Sequence, residues 1–259
     1  MTSSAKTLNL NADLGESYGA WRMGDDASLL PLVQSASLAC GFHAGDPVTM
    51  RQTVAAALAA GVSVGAHPAY PDLQGFGRRS LRCSSDEIYA YVLYQIGALD
   101  AFAREQGARL SHVKPHGALS NDACRDRALA ATIVGAIKAF DTGLILLAPA
   151  LSLLAEAGAA AGLAVAAEIF ADRTYEDDAT LTPRAFPGAV LDDAQRCLAH
   201  VEAMLAAGGI VSRHGKILPT PIHSICLHGD GPAAVTTARI LREKLAANYG
   251  LSPLPGLFA

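Results

Sequence analysis

Charged residues make up only 17% of this sequence, and the positive ones are outnumbered, with 20 Lys and Arg against 24 Asp and Glu for a formal charge of -4. Without a basic excess there is little to neutralise a phosphate backbone, so nucleic acid and anionic membrane are excluded as expected partners. Cysteine is sparse and unpatterned. Cys40, Cys83, Cys124, Cys197 and Cys226 are odd in number and form no C-x-x-C, which argues against a disulfide framework or a zinc knuckle and leaves them as small buried apolar residues. The first ten residues lack the long apolar segment of a secretory signal, so a cytoplasmic location is expected. Nucleotide signatures are missing as well, since neither G-x-x-x-x-G-K-[ST] nor a strand-to-helix G-x-G-x-x-G occurs, although Gly75-Phe76-Gly77 has a superficial likeness to one.

What the chain does have is apolar residues, 51% of its 259, enough for a sizeable core and too many for a disordered chain. The segment 144–167 is apolar apart from Ser152 and Glu156 and long enough to cross a bilayer. Pro149, Glu156, Gly158 and Gly162 interrupt it, so it reads instead as a buried strand, a helix and a second strand. Strand-length apolar runs recur at 7–11, 36–39, 62–66, 111–114, 144–148, 164–169 and 224–227, seven in all. Ala/Leu-rich stretches with helical spacing lie between most of them, at 49–60, 85–106, 125–140, 151–160, 193–207 and 233–249. Near-continuous apolar strands joined by helical crossovers predict an α/β fold, a parallel sheet closed into a seven-stranded TIM-like (β/α) barrel, with an open doubly wound sheet as the alternative. Asp46-Pro47 and Ser84-Ser85 supply helix starts, and Gly61, Gly107 and Gly208-Gly209 supply stops. No linker or charge run divides the chain, and one domain over 1–259 is expected.

Each apolar run tends to end in a burst of polar residues, at the end where a parallel barrel keeps its chemistry. Alternation along the first strand puts Asn9, Asn11 and Asp13 on one side, with Glu16 just beyond. Later runs end at His43, at His67 with Asp72, Arg78 and Arg79 following, at Lys114 and His116, at Glu168 with Asp172 and Arg173, and at His228 with Asp230. A solitary strand-end Asp or His is more often a loop cap or a satisfied buried group. Five of the eight histidines (His43, His67, His112, His116 and His228) lie at such ends, however, whereas His200 and His214 fall in a helix and a loop and are expected to face solvent. Imidazoles, carboxylates, a Lys and several Arg at one mouth provide proton donors, proton acceptors and anion-binding cations, the makings of a catalytic site. His112 and His116 are spaced as a helical metal pair, but in a strand such residues stand about 13 Å apart, too far to share an ion. A divalent ion stays open through Asp13, His43 and His67, which come from successive strand ends.

These motifs resemble the LamB/YcsF family, the A subunits of a bacterial ATP-dependent 5-oxoprolinase. The resemblance spans nearly the whole chain. It is carried by Leu10-Asn11-Ala12-Asp13-Leu14-Gly15-Glu16, Ala39-Cys40-Gly41-Phe42-His43-Ala44-Gly45-Asp46-Pro47, Gly65-Ala66-His67-Pro68 and Gly75-Phe76-Gly77-Arg78-Arg79. Further on it continues in Val113-Lys114-Pro115-His116-Gly117-Ala118-Leu119, Glu168-Ile169-Phe170-Ala171-Asp172-Arg173 and Ile225-Cys226-Leu227-His228-Gly229-Asp230. It implies a distorted barrel of the polysaccharide-deacetylase type and hydrolysis of the lactam of 5-oxo-L-proline to L-glutamate. ATP would be the co-substrate of a complex with B and C subunits. Phosphorylating the lactam oxygen would make a resonance-stabilised amide open to attack by water, and with no nucleotide motif here the partner subunits would perform that activation.

On this reading Asp13 or Glu16 serves as general base, and one of His43, His67, His116 and His228 protonates the departing ring nitrogen. Lys114 with Arg78 or Arg79 holds the substrate carboxylate or phosphate, and Asn11, Asp72, Glu168, Asp172, Arg173 and Asp230 complete the binding set. The family pattern is broken at Ser120, where Tyr is expected, at Ala179, where Gly is expected, and at Gly231, where Asn is expected. An alanine in place of glycine changes a loop if the position needs positive φ. Two alternatives remain, a metal-dependent deacetylase of the same fold and a non-catalytic subunit that senses a small carboxylic acid.

Overall fold

The computed structural model describes residues 7–229, 231 and 233–258. In chain order its elements run β1 (Thr7–Leu14), α1 (Asp26–Leu29), β2 (Ser35–Ala39), α2 (Pro47–Ala59), β3 (Ser63–His67), α3 (Ser85–Glu105), β4 (His112–Val113), α4 (Gly117–Ala123) and α5 (Arg127–Phe140). They continue with β5 (Ile145–Pro149), α6 (Leu153–Ala160), β6 (Val165–Phe170), α7 (Ala194–Ala207), β7 (Gly209–Val211), β8 (Ile217–Pro219), β9 (Ser224–His228), α8 (Ala234–Asn248) and β10 (Gly250–Leu251). Strands β1 to β6 and β9 pair in parallel, and β9 returns to β1, which closes a seven-stranded barrel with helices around it. The seven barrel strands are the seven apolar runs of the sequence. Three short strands lie outside that count: β10 adds to the start of β1, and β7 with β8 forms an antiparallel hairpin.

Local chemistry sets the helix ends. Asp46 caps α2 by accepting from the N–H groups of Val48 and Thr49, with Pro47 in the first turn, where its missing donor costs nothing. Ser84 and Glu87 form a reciprocal capping box at α3. Gly208 ends α7 in the left-handed conformation that an L side chain resists. Two helices start two residues later than predicted. Asp126 caps α5, so it begins at Arg127, and Ser152 caps α6 after Leu151 has turned left-handed at φ +60°, so it begins at Leu153. Helix α4 was not foreseen, being one short segment behind the polar strand end. The 144–167 stretch is β5, α6 and β6, and no described helix is long and apolar enough to cross a membrane.

The two faces of β1 divide the molecule. Leu8, Leu10, Ala12 and Leu14 are fully covered by the surrounding helices and belong to the main apolar core. Asn9, Asn11 and Asp13 point the other way, into the barrel. Asn11 reaches Glu168 on β6 and the Lys114 ammonium beyond β4, neither of them on a neighbouring strand, so these contacts cross the interior. Barrels of this kind usually fill that space with branched aliphatics. Here hydrogen bonds fill its lower part: Asn9 to Ser35, Ser224 to Asn9, Ser35 to Ser63 and Ser37 to the His112 ring.

His112 therefore does not join the histidines at the mouth as its strand-end position suggested. Burial, and then the nearby Lys114 charge, push its pKa down to about 3, so it works as a neutral hydrogen-bonding filler. Gly65 makes room for it, since a Cβ there would lie 2.3 Å from the His112 ring. Gly65→Ala should accordingly lose about 1–3 kcal/mol of stability through overpacking. Urea unfolding measures this, and an unchanged midpoint would show that the ring can move aside.

Candidate functional site

At the C-terminal ends of the strands lies a cavity of about 350 Å³. Asp13, His67, Lys114, His116, Phe170 and His228 face it from the barrel. Its loop side carries Arg78, Arg125, Arg173 and Arg184. Lys114 stands at its base with the ammonium buried, 2.8 Å from Asp13 Oδ1, 3.0 Å from Glu168 Oε1, 3.2 Å from Asn11 Oδ1 and 2.9 Å from Cys226 Sγ. The aromatic face of Phe170 lies 5.4 Å from the same nitrogen.

One ammonium facing two carboxylates forces them apart in acidity. Burial would raise both pKa values. For Asp13 the attraction of His67 and Lys114 wins and holds the carboxyl well below its ordinary range. Glu168 has Lys114 in common with Asp13 and feels the negative charge of Asp13, so burial wins and its pKa rises. Lys114 itself would lose its proton to burial, but Asp13, Cys226 and Glu168 keep it firmly charged. Cys226, expected to be an inert apolar residue, is thus a contact of the central cation.

Glu16, His43, His67 and His116 meet in a second group beside the first. His43 Nε2 lies 3.1 Å from Glu16 Oε1, and its ring stacks on that of His116 with centroids 3.8 Å apart. His116 Nδ1 lies 2.9 Å from His67 Nε2 and 3.6 Å from Glu16 Oε1. His67 Nε2 also lies 3.3 Å from Asp13 Oδ2, which links the two groups. One ligand atom from each of Glu16, His43, His67 and His116 falls within 4.8 Å of the other three. The sequence had suggested Asp13 with His43 and His67 as a metal set; Glu16 and His116 join the histidines instead, because Asp13 is held by Lys114.

His228 completes the cavity wall. Its Nδ1 is 2.8 Å from Asp172 Oδ2, and its ring stacks on Phe170. Burial works against its charge, but the Asp172 carboxylate overrides this and raises its pKa; burial likewise opposes ionisation of Asp172, and the imidazole overrides it and lowers that pKa. His228 is also the strand neighbour of Asp13 in the β1–β9 register. Arg173 is nearly buried, donating to the carbonyls of Thr182 and Ala189. Burial and the adjacent Arg184 lower its pKa to about 10.

Some expected members lie elsewhere. Asp72 and Arg79 bind each other in the loop after β3, with the Arg79 side chain 60% exposed, and neither lines the cavity. Asp72 also accepts from the N–H groups of Gly75 and Arg79, so it holds that loop in shape. Asp230 lies outside the described residues. His200 does not simply face solvent, since its Nε2 meets the Arg173 carbonyl at 2.9 Å. Gly15-Glu16-Ser17-Tyr18-Gly19 has the G-x-S-x-G spelling, but no helix follows it directly and Ser17 Oγ accepts from the Met23 N–H, so it is no nucleophile elbow. Sequence reasoning missed Arg125 and Arg184, which sit in loops without a motif. Phe170 and Cys226 lay inside quoted motifs and were passed over because apolar side chains carry no obvious chemistry.

The three described non-glycine residues with left-handed backbone, Phe76, Leu151 and Ala179, all border this region. Leu151 and Ala179 line the cavity, and the Phe76 carbonyl accepts from His116. Such strain concentrates where surrounding structure holds a functional geometry in place.

A family model described as LamB/YcsF matches residues 8–256. The A subunit of 5-oxoprolinase from Azoarcus sp. (strain BH72) is 64% identical over 240 residues, 93% of this chain and 94% of the relative. Among solved structures, the lactam utilization protein from Thermus thermophilus superposes with a TM-score of 0.88 at 44% identity, covering 95% of this chain and 98% of the other. A structure described as T48 deacetylase with substrate has a TM-score of 0.50 at 14% identity, covering 98% of this chain and 91% of the other, and shares the barrel fold alone.

Two outcomes follow from this geometry. The stabilisation that protonated His228 draws from Asp172 is complete below the ordinary imidazole pKa and is lost as pH rises through the elevated folded value. In Asp172→Asn the NMR titration midpoint of His228 should fall below that of the parent, and an unchanged midpoint would dissociate the pair. Ala179 at φ +69° pays a left-handed penalty that glycine does not, so Ala179→Gly should raise stability by about 0.5–1 kcal/mol after the greater freedom of unfolded glycine is counted. Thermal unfolding gives the sign, and a lowered midpoint would mean that the loop is not strained there.

Proposed function

Since the chain belongs to the LamB/YcsF family, we propose that it is the ring-opening subunit of a 5-oxoprolinase, hydrolysing the lactam of 5-oxo-L-proline to L-glutamate while B and C partner subunits use ATP to activate the lactam. The observation that carries this reading is the pairing, on adjacent strands at one cavity, of Asp13 held ionised with His228 held toward its protonated form. A base and an acid whose environments drive their pKa values apart are both in the working state at neutral pH. The arginines on the loop side supply positive charge for an anionic substrate, either the ring carboxylate or a phosphate on the ring oxygen.

The chemistry gives the acid a specific task. Transfer of the ATP γ-phosphoryl group to the lactam oxygen yields ADP and an activated imidate ester. Water adds to its carbon as Asp13 removes one water proton and passes it to the ring nitrogen, which leaves a tetrahedral centre bearing hydroxyl, phosphate and the ring N–H. Loss of phosphate would regenerate the lactam and waste the ATP. Protonation of that nitrogen by His228, with Asp13 taking the hydroxyl proton as the carbonyl re-forms, breaks the carbon–nitrogen bond instead and leaves an acyl phosphate, which a second water hydrolyses to glutamate and phosphate. Lys114 anchors Asp13 in position, and Glu168 with Asn11 fixes Lys114 in turn. Arg78, which stands over the Phe76 ring at the rim, with Arg173 and Arg184 holds the anion. The deacetylase alternative draws on the Glu16 and histidine group alone, and the sensing alternative leaves the Asp13–His228 pairing without a purpose.

In the reconstituted complex Asp13→Asn should reduce glutamate formation by about 100-fold or more. His228→Gln should uncouple the reaction, with ADP release continuing while glutamate falls, so that the ratio of ADP to glutamate climbs. Full turnover by Asp13→Asn would remove it as the base, a constant ADP-to-glutamate ratio would remove His228 as the acid, and tight ATP binding by this chain alone would overturn the division of labour.

A further inference from the structure

The hydrogen-bond partners of His67 and His116 fix their tautomers. His67 Nδ1 lies 2.6 Å from the Lys114 carbonyl, and His116 Nε2 lies 2.9 Å from the Phe76 carbonyl. A carbonyl oxygen only accepts, so both of these nitrogens carry the proton. In the neutral rings the remaining nitrogens, His67 Nε2 and His116 Nδ1, turn lone pairs toward one another across 2.9 Å. His43 and Glu16 belong to the same group, in which one ligand atom of each side chain lies within 4.8 Å of the others, and all four side chains are buried. Lone pairs gathered in a buried space repel unless something positive lies among them.

The spacing fits an ion. Ligands 2.0–2.1 Å from a tetrahedral centre stand about 3.4 Å from each other. Separations of 2.9, 3.1 and 3.6 Å within the group bracket that edge length. The carbonyl contacts of His67 and His116 have the form of the outer-shell bonds that orient metal-bound imidazoles. The loop over the group is built to make one of them: Phe76 adopts φ +54° to aim its carbonyl at His116, and Gly77 lies so close that a Cβ would come within 2.7 Å of that ring and 2.9 Å of His43.

We propose that Glu16, His43, His67 and His116 bind one divalent first-row transition-metal ion of the zinc class. Three imidazoles and one carboxylate form a borderline donor set suited to such ions and unsuited to calcium or magnesium, which take oxygen ligands. His67 and His116 also line the cavity, so the ion stands at its wall next to Asp13. This site goes beyond the ring-opening reading and does not depend on it.

The test uses the full chain, stripped with a chelator and dialysed. Zn2+ titrated against a chromophoric indicator should bind at one equivalent, and Co2+ should give the intense visible bands of a four-coordinate N/O site. His67→Ala and His116→Ala should each weaken binding by roughly 100-fold or more, since even outer-shell losses reach that scale, while Arg79→Ala should bind as the parent does. If a histidine variant fails to fold without metal, the Co2+-loaded parent still decides the matter, because its paramagnetically shifted N–H resonances must include two hydrogen-bonded imidazole protons. Less than one equivalent bound at micromolar Zn2+, full affinity in the His67→Ala His116→Ala double variant, or 15N shifts showing His67 as an imidazolium in metal-saturated protein would overturn the proposal. Binding is read without turnover, so its failure leaves the glutamate assay untouched, and the reverse holds as well.

Discussion

The ammonium group of Lys114 is buried inside the barrel, and the arrangement of the site follows from what must be placed around it. A buried cation is tolerated only when paired and hydrogen-bonded, and removing one partner of such a pair costs about 3–5 kcal/mol. Asp13, Glu168, Asn11 and Cys226 arrive from three different strands to surround it. This requirement ties β1, β6 and β9 to the segment after β4 and makes the polar filling of the lower barrel intelligible. Serines and asparagines continue the network downward, where aliphatic side chains would leave one Asn11 N–H and the Asn9 side-chain carbonyl without their Ser224 partner.

The same cation sorts the chemistry above it. Because Lys114 stabilises one full negative charge, Asp13 stays ionised and Glu168 is driven toward its proton. Asp13 in turn leans on His67. His67 gives its other nitrogen to the Lys114 carbonyl, so a single residue fixes the carboxylate through its side chain and the imidazole through its backbone. The site thus has two neighbouring centres, a lysine–carboxylate centre and a histidine–glutamate centre, joined through Asp13 and His67. Strained backbone at Phe76, Leu151 and Ala179 frames them, as expected where loops are shaped by the site and not by their own preferences.

Much of this was legible beforehand. The barrel followed from seven apolar runs alternating with helical segments, and the location of the site followed from polar residues at the run ends. Asn9, Asn11 and Asp13 were placed on one face by simple alternation, and that face is the barrel interior. The positive φ of Ala179 was foreshadowed by a family pattern that expects glycine there. Less legible were pairings across the barrel. Nothing in the spacing of Asp72 and Arg79 says that they satisfy each other, and nothing near Cys226 says that its thiol faces a lysine. His112 looked like its strand-end neighbours, yet it sits lower, in the space that Gly65 leaves open.

What the sequence determined by itself is what local physics can carry: the period of apolar residues, the capping side chains, the glycine stops, and the polar bursts that mark one end of most barrel strands. These depend on residues a few positions apart, whose geometry the backbone fixes. The tertiary structure alone decided which histidines share Glu16, which carboxylate keeps its charge, and which arginine faces the cavity. Those outcomes depend on side chains brought together by the closure of the barrel, from positions tens to more than a hundred residues apart, and on how burial changes the cost of charge once they meet.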